Sequence, residues 1–174
     1  MNQFKSSLLF AVLVLSLTSC GFTTSDAERI SMAEVSIDEG DYRAATIQLR
    51  SVLGNDPDNL QARLMLAKIL VGLNDIPTAE KEMQRASELG ATASQIQPLH
   101  FSILAARAEF QEILAALGME VDGLSNVEQF RFRGDALLGL RNGSAAQENY
   151  RDWLQAEPDS VEAEIGFVVF FCFI

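Results

Sequence analysis

The 174-residue sequence predicts an all-α chain, a solenoid of antiparallel helix pairs stacked about four deep behind an N-terminal leader. Three observations predict it. Small and apolar residues recur at one spacing: Ala33, Tyr42, Ala45, Leu49 and Val52 return 34 residues later as Ala67, Ile76, Ala79, Met83 and Ala86. The tetrapeptides Asp56-Pro57-Asp58-Asn59 and Glu157-Pro158-Asp159-Ser160 each read as a helix stop followed by a helix start. Proline disfavours helical geometry in the residue before it, and the Asn or Ser after it can accept from the free amides of the next helix. Between these signals lie turn residues that tolerate left-handed backbone, Gly40 in Glu39-Gly40-Asp41 and Asn74 in Leu73-Asn74-Asp75.

The elements follow in chain order. Residues 1–19 hold a short n-region with Lys5 and the apolar run Leu8 to Leu17, the length of a signal-peptide core. A spanning helix needs about 20 apolar residues, so this run is too short to cross a bilayer comfortably. Next comes Leu17-Thr18-Ser19-Cys20-Gly21, which resembles the bacterial lipobox: a branched apolar residue, two small ones, and a cysteine that is diacylated and becomes the new N-terminus. The resemblance implies a leader over 1–19, lipidation at Cys20 and a short tether over 20–25. Two or more acyl chains suffice for stable anchoring at ~0.8 kcal/mol per buried methylene. The competing reading is an ordinary secretory leader with an incidental cysteine. By resemblance to Gram-negative sorting, Gly21 after the cysteine directs such a protein to the outer membrane, on either its periplasmic or its outer face.

A third copy of the period places Phe110, Ile113 and Leu117 after Leu104 to Glu109, and a fourth reads Gly134, Leu137, Ala146, Tyr150, Trp153 and Pro158, one residue short of strict register. Gly90 reads as a helix C-cap, and Pro98 predicts that the third copy's first helix starts near it or is kinked. Together these features resemble the tetratricopeptide repeat, a 34-residue helix–turn–helix unit. The resemblance covers residues 26–164 as repeats over about 26–59, 60–93, 94–126 and 127–160, with the start of a fifth. It implies that Ala33, Ala67 and Gly134, then Ala45, Ala79 and Ala146, let paired helices approach closely, with Tyr42, Leu49, Phe110 and Tyr150 filling between them. Within 25–90 the order of motifs after a lipobox is similar to that of the PEP-CTERM system repeat lipoproteins, whose members are much longer. That likeness implies work beside exosortase and exopolysaccharide export. Residues 165–174, Ile165-Gly166-Phe167-Val168-Val169-Phe170-Phe171-Cys172-Phe173-Ile174, break the pattern as an apolar, chargeless tail. The expectation is a truncation or a reading-frame change, with a short anchor or docking plug as the alternative.

Composition and chemistry narrow the function. Net charge is −11, with 24 acids against 13 bases, and the leader's Lys5 makes the remainder more acidic still. That argues against nucleic acid and against adsorption to anionic lipid, leaving a membrane attachment to the lipid anchor. Cys20 and Cys172 are the only cysteines and His100 the only histidine, so no disulfide framework, zinc cluster or His-rich metal set can be assembled, no catalytic pairing with a second histidine is available, and the solitary His100 at a helix start reads as structural. Carboxylate pairs such as Glu80 with Glu82 and Glu109 with Glu112 read as solvated helix faces. Phosphate-binding glycine loops are absent from the sequence. Trp153 lies in the packing register and reads as core, with Phe130 and Phe132 beside it as the rival stacking cluster.

The expectation is a non-enzymatic scaffold that takes no cofactor, metal or evident small-molecule substrate. Its partners would be proteins of an envelope or exopolysaccharide export system. A structural part in outer-membrane assembly and an accessory region of a longer enzyme are the alternatives. In such repeats the first helices line the concave surface. The resemblance carries the groove positions onto Glu34, Gln61, Lys68, Gln95, Ser102, Glu128, Arg131 and Asp135. The Lys and Asn set that clamps a peptide's terminal carboxylate in some members of the family is missing from these positions.

Overall fold

A computed structural model describes residues 24–119 and 121–172; the expected leader and Cys20 lie outside the described residues. Among them every regular element is a helix. In order these are α1 (Asp26–Asp38), α2 (Tyr42–Asn55), α3 (Leu60–Gly72), α4 (Ile76–Glu88), α5 (Ala93–Ala106), α6 (Phe110–Leu117), α7 (Asn126–Gly139), α8 (Gly143–Ala156) and α9 (Val161–Cys172). They pack as successive pairs, α1 with α2 through α7 with α8, and α9 lies against α8 as the first helix of a further pair. Neighbouring first helices also touch, α3 with α5 and α5 with α7, so they form one continuous layer.

The starts are set by side-chain caps. Ser25 and Glu28 form a reciprocal box, with the Ser25 amide donating to Glu28 Oε2 at 2.8 Å and the Glu28 amide to Ser25 Oγ at 3.2 Å. Asp41 accepts from the Ala44 amide at 2.9 Å and Asn59 from the Ala62 amide at 3.0 Å. Ser160 does the same for Ala163, so both Pro-containing tetrapeptides act as stop and start. The turns use Gly40 at φ +77° and Asn74 at φ +60°, as their residue types imply. Pro98 does not begin its helix. Thr92 and Gln95 close a capping box at the true start, five residues upstream at Ala93, and a proline in the second turn removes only one early amide donor.

Packing follows the small residues. Ala33, Ala67, Ala45, Ala79 and Ala146 are fully buried, and a side chain on Gly134 would meet the Tyr150 ring, its Cβ 2.6 Å from the Tyr150 hydroxyl. The third pair differs. Continuing the register from Ala67 and Ala79 gives Phe101 and Ile113, two large buried residues where the other pairs hold small ones. The helices α5 and α6 are accordingly the least intimately packed pair, and α6 is only eight residues long. The core runs as three linked clusters, with α5 supplying Leu99 and Ile103 to the first and Phe101 and Leu104 to the second. Trp153, Tyr150 and Leu137 centre the third. Tyr42 is not core: at the first turn of α2 it keeps 42 % of its surface exposed. The apolar tail shows no break at residue 165, because α9 runs through it to Cys172.

Candidate partner-binding groove

Three first helices, α3, α5 and α7, enclose a recess of about 600 Å³ along their shared layer. Each helix brings residues one or two turns apart to the same side, because 3.6 residues per turn returns i, i+3, i+4 and i+7 to one face. Leu64, Met65, Val71, Pro98 and Leu99 form the apolar part of the lining. Lys68 of α3, Ser94, Gln95 and Ser102 of α5, and Glu128 and Arg131 of α7 form the polar part. Five of the eight positions carried over from the repeat pattern are therefore brought together in one place.

The other three lie on either side. Gln61 donates through Nε2 to Glu34 Oε1 at 3.3 Å, bridging α1 and α3 one pair earlier in the stack. Asp135 sits one turn beyond Arg131 and lines a separate recess of about 330 Å³ with Leu138, Tyr150, Glu162 and Ile165. A third recess of about 530 Å³ lies between α7, the end of α8 and the start of α9. Arg131 borders all three.

The polar groups differ in how far they are engaged. Glu128 completes the capping box of α7, accepting from the Ser125 amide at 2.9 Å and its hydroxyl at 2.7 Å. Ser102 Oγ donates to the Pro98 carbonyl at 2.7 Å. Arg131 lies with its guanidinium carbon 4.3 Å from the centre of the Phe132 ring, a cation–π contact that holds the head in place. Asp135 keeps an open edge, yet the surrounding protein desolvates it enough to raise its carboxyl above the usual carboxylate range, against a smaller opposing pull from Arg131. Burial, and secondarily the charge of Asp135, pushes the Tyr150 phenol up to about 12.

Other residues that suggested chemistry are structural. Trp153 is buried and stacks on Phe130 with ring centroids 6.1 Å apart, donating its indole N–H to Glu157. His100 is exposed on α5, edge-on to Phe101. Glu80 and Glu82 are not simply solvated: Arg107 meets Glu80 at 2.7 Å, and Arg63 meets Glu82 at 2.5 Å in a pair with both side chains 14 % exposed. Among the described residues no group of three metal-ligating side chains forms, and no helix is long and apolar enough to cross a membrane.

The sequence reading missed two features. The groove's apolar lining was one; Leu64, Met65, Val71 and Leu99 look like ordinary core positions, and only the neighbouring helix shows which edge stays open. The second is a latch inside three of the four pairs, between residues nineteen apart: Arg29 Nη1 donates to Gln48 Oε1 at 3.1 Å, Arg63 pairs with Glu82, and Asn149 Nδ2 donates to the Phe130 carbonyl at 2.9 Å. In the third pair those positions are Gln97 and Ala116, and Ala116 has no side-chain group to accept or donate.

Residues 36–100 match a family model described as tetratricopeptide repeat. No curated protein and no solved structure matches the chain. The matched segment takes in all of α2, α3 and α4 and parts of α1 and α5, and hence the α3 and α5 walls of the groove. With the helix pairs and the 34-residue spacing, the match supports a tetratricopeptide-repeat protein, of a kind whose repeats generally mediate contacts between proteins.

Proposed function

We propose that this chain is a non-catalytic scaffold at the bacterial cell envelope, anchored through a lipid on Cys20 and holding a partner protein in the groove of α3, α5 and α7. One observation carries the binding half of the reading. Three successive helices leave a cleft open between them, part apolar and part lined by the six polar side chains of Lys68, Ser94, Gln95, Ser102, Glu128 and Arg131. The lipobox resemblance at Leu17 to Gly21 supports the anchor, and Gly21 supports the outer membrane. The likeness to PEP-CTERM system lipoproteins within residues 25–90 favours an exopolysaccharide export system as the source of partners.

The two halves are tested separately. Metabolic labelling with a radioactive fatty acid should mark the wild-type chain and leave Cys20→Ser unlabelled; label that survives the substitution contradicts the anchor. For the groove, affinity capture from solubilised envelopes should retain a defined set of proteins. Ser102→Trp, which fills the recess, should release them, and Arg50→Glu on an exposed face of α2 should not. Equal retention by both variants contradicts the groove.

A further inference from the structure

Most arginines at helix contacts of this protein are committed within it. Arg63 and Arg107 pair with Glu82 and Glu80 across helix contacts, Arg85 with Glu88 one turn on, and Arg133 donates to the Leu117 carbonyl. Lys68 and Arg131 are different. Both are exposed, both border the same recess, and neither makes an ion pair or hydrogen bond to any described residue. Arg43, Arg50, Lys81, Arg141 and Arg151 are likewise uncommitted, but of these cations only Lys68 and Arg131 line the apolar recess, one from α3 and one from α7.

Arg131 has acids on its other side, Asp135 one turn on and Glu157, Asp159 and Glu162 around the adjoining recesses, but the acid that lines this recess is Glu128. The carboxylate of Glu128 faces the start of its own helix, held by the Ser125 amide and hydroxyl. Asp135 opens into the neighbouring recess, and Glu34 is bonded to Gln61 outside this one. Arg131 is also held over the Phe132 ring, so a carboxylate meeting it would find a guanidinium already oriented for a two-point contact. The rest of the lining, Leu64, Met65, Val71 and Leu99, accepts apolar side chains.

We propose that the groove selects an extended segment of a partner protein in which an internal Asp or Glu, flanked by apolar residues, seats its carboxylate between Lys68 and Arg131. The inference rests on the groove being the binding site and adds the chemistry of what enters it. A basic segment is disfavoured, because it would bring like charge onto both cations.

Three capped nine-residue peptides test this: one alternating Leu with Glu, one with Gln in place of each Glu, and one with Lys in place of each Glu. Binding to the full chain in neutral detergent is read by fluorescence anisotropy. The Glu peptide should bind about tenfold more tightly than the Gln peptide, lose that margin as salt rises towards 1 M, and outcompete the Lys peptide. Lys68→Met and Arg131→Met should each reduce Glu-peptide binding. The double charge reversal Lys68→Glu with Arg131→Glu should gain binding to the Lys peptide, a result that an unfolded variant cannot give. Equal binding of all three peptides, abolished by Ser102→Trp, overturns the acidic preference and leaves the groove standing. Binding that Ser102→Trp does not alter overturns the groove reading as well, and failure of the Glu peptide to bind at all overturns the inference.

Discussion

Two glycines show how one residue type does opposite work. Gly134 is where α7 and α8 touch, and its missing side chain is the space that the buried Tyr150 ring fills; an added Cβ would lie 2.6 Å from the hydroxyl and 2.7 Å from Cζ. Gly54, near the end of α2, has nothing within 4 Å of the same position. Alanine is favoured over glycine in a helix by about 1 kcal/mol, so Gly54→Ala should raise the urea midpoint. Gly134→Ala should lower it, because overpacking against a ring fixed by Trp153 costs about 1–3 kcal/mol. The same tyrosine carries a pH dependence. Its phenol is held protonated in the folded state up to about 12, against an ordinary value of 10.0, so the stability linked to it is intact below pH 10 and is lost as pH rises towards 12. Tyr150→Phe should flatten the fall of the denaturation midpoint over that window; an unchanged slope contradicts the assignment.

At the scale of elements, the sequence was legible wherever a local signal coincided with the packing demand. Asp56-Pro57-Asp58-Asn59 could be read because proline and an asparagine cap act through their own backbone, and Ala33, Ala67 and Gly134 because one spacing repeated. The third pair resisted. Its turn has neither glycine nor asparagine: Ala108 takes φ +58° in the place where Gly40 and Asn74 sit. A left-handed alanine costs about 1–2 kcal/mol, which tertiary packing overrides and a propensity argument cannot foresee. Ala108→Gly should therefore stabilise the chain by about 0.5–1 kcal/mol, read as a higher thermal midpoint, and a lower midpoint would mean that the methyl group is packed rather than strained. Pro98 left the start of α5 open for a related reason. It marks a helix boundary only when no better cap lies upstream, and Thr92 with Gln95 is a better cap. The groove was legible as a list of positions but not as a cavity, since its apolar edge depends on how α3, α5 and α7 splay, which no single helix encodes.

Over the whole molecule, the polar groove residues and the core lie on different faces of the same helices. The three core clusters are joined through α5 and α7, and while Leu99 of α5 serves both core and groove, the exposed Lys68 and Arg131 and the partly buried Ser102 border the open layer beside it. Substitutions of the polar groove residues Lys68 and Arg131 should consequently change partner binding with little effect on folding, and substitutions of core residues outside the groove the reverse. The acidic balance of −11 belongs to this scale too: it disfavours adventitious association with acidic proteins, so an acidic segment must fit the cleft to be held. The most direct measurement places a photo-crosslinking amino acid at Ser102, inside the groove, and in a parallel strain at Arg50, on α2. On irradiation of living cells, the account predicts a discrete adduct from Ser102, weakened by Arg131→Glu, and none from Arg50. An adduct from Arg50 with none from Ser102 would contradict it.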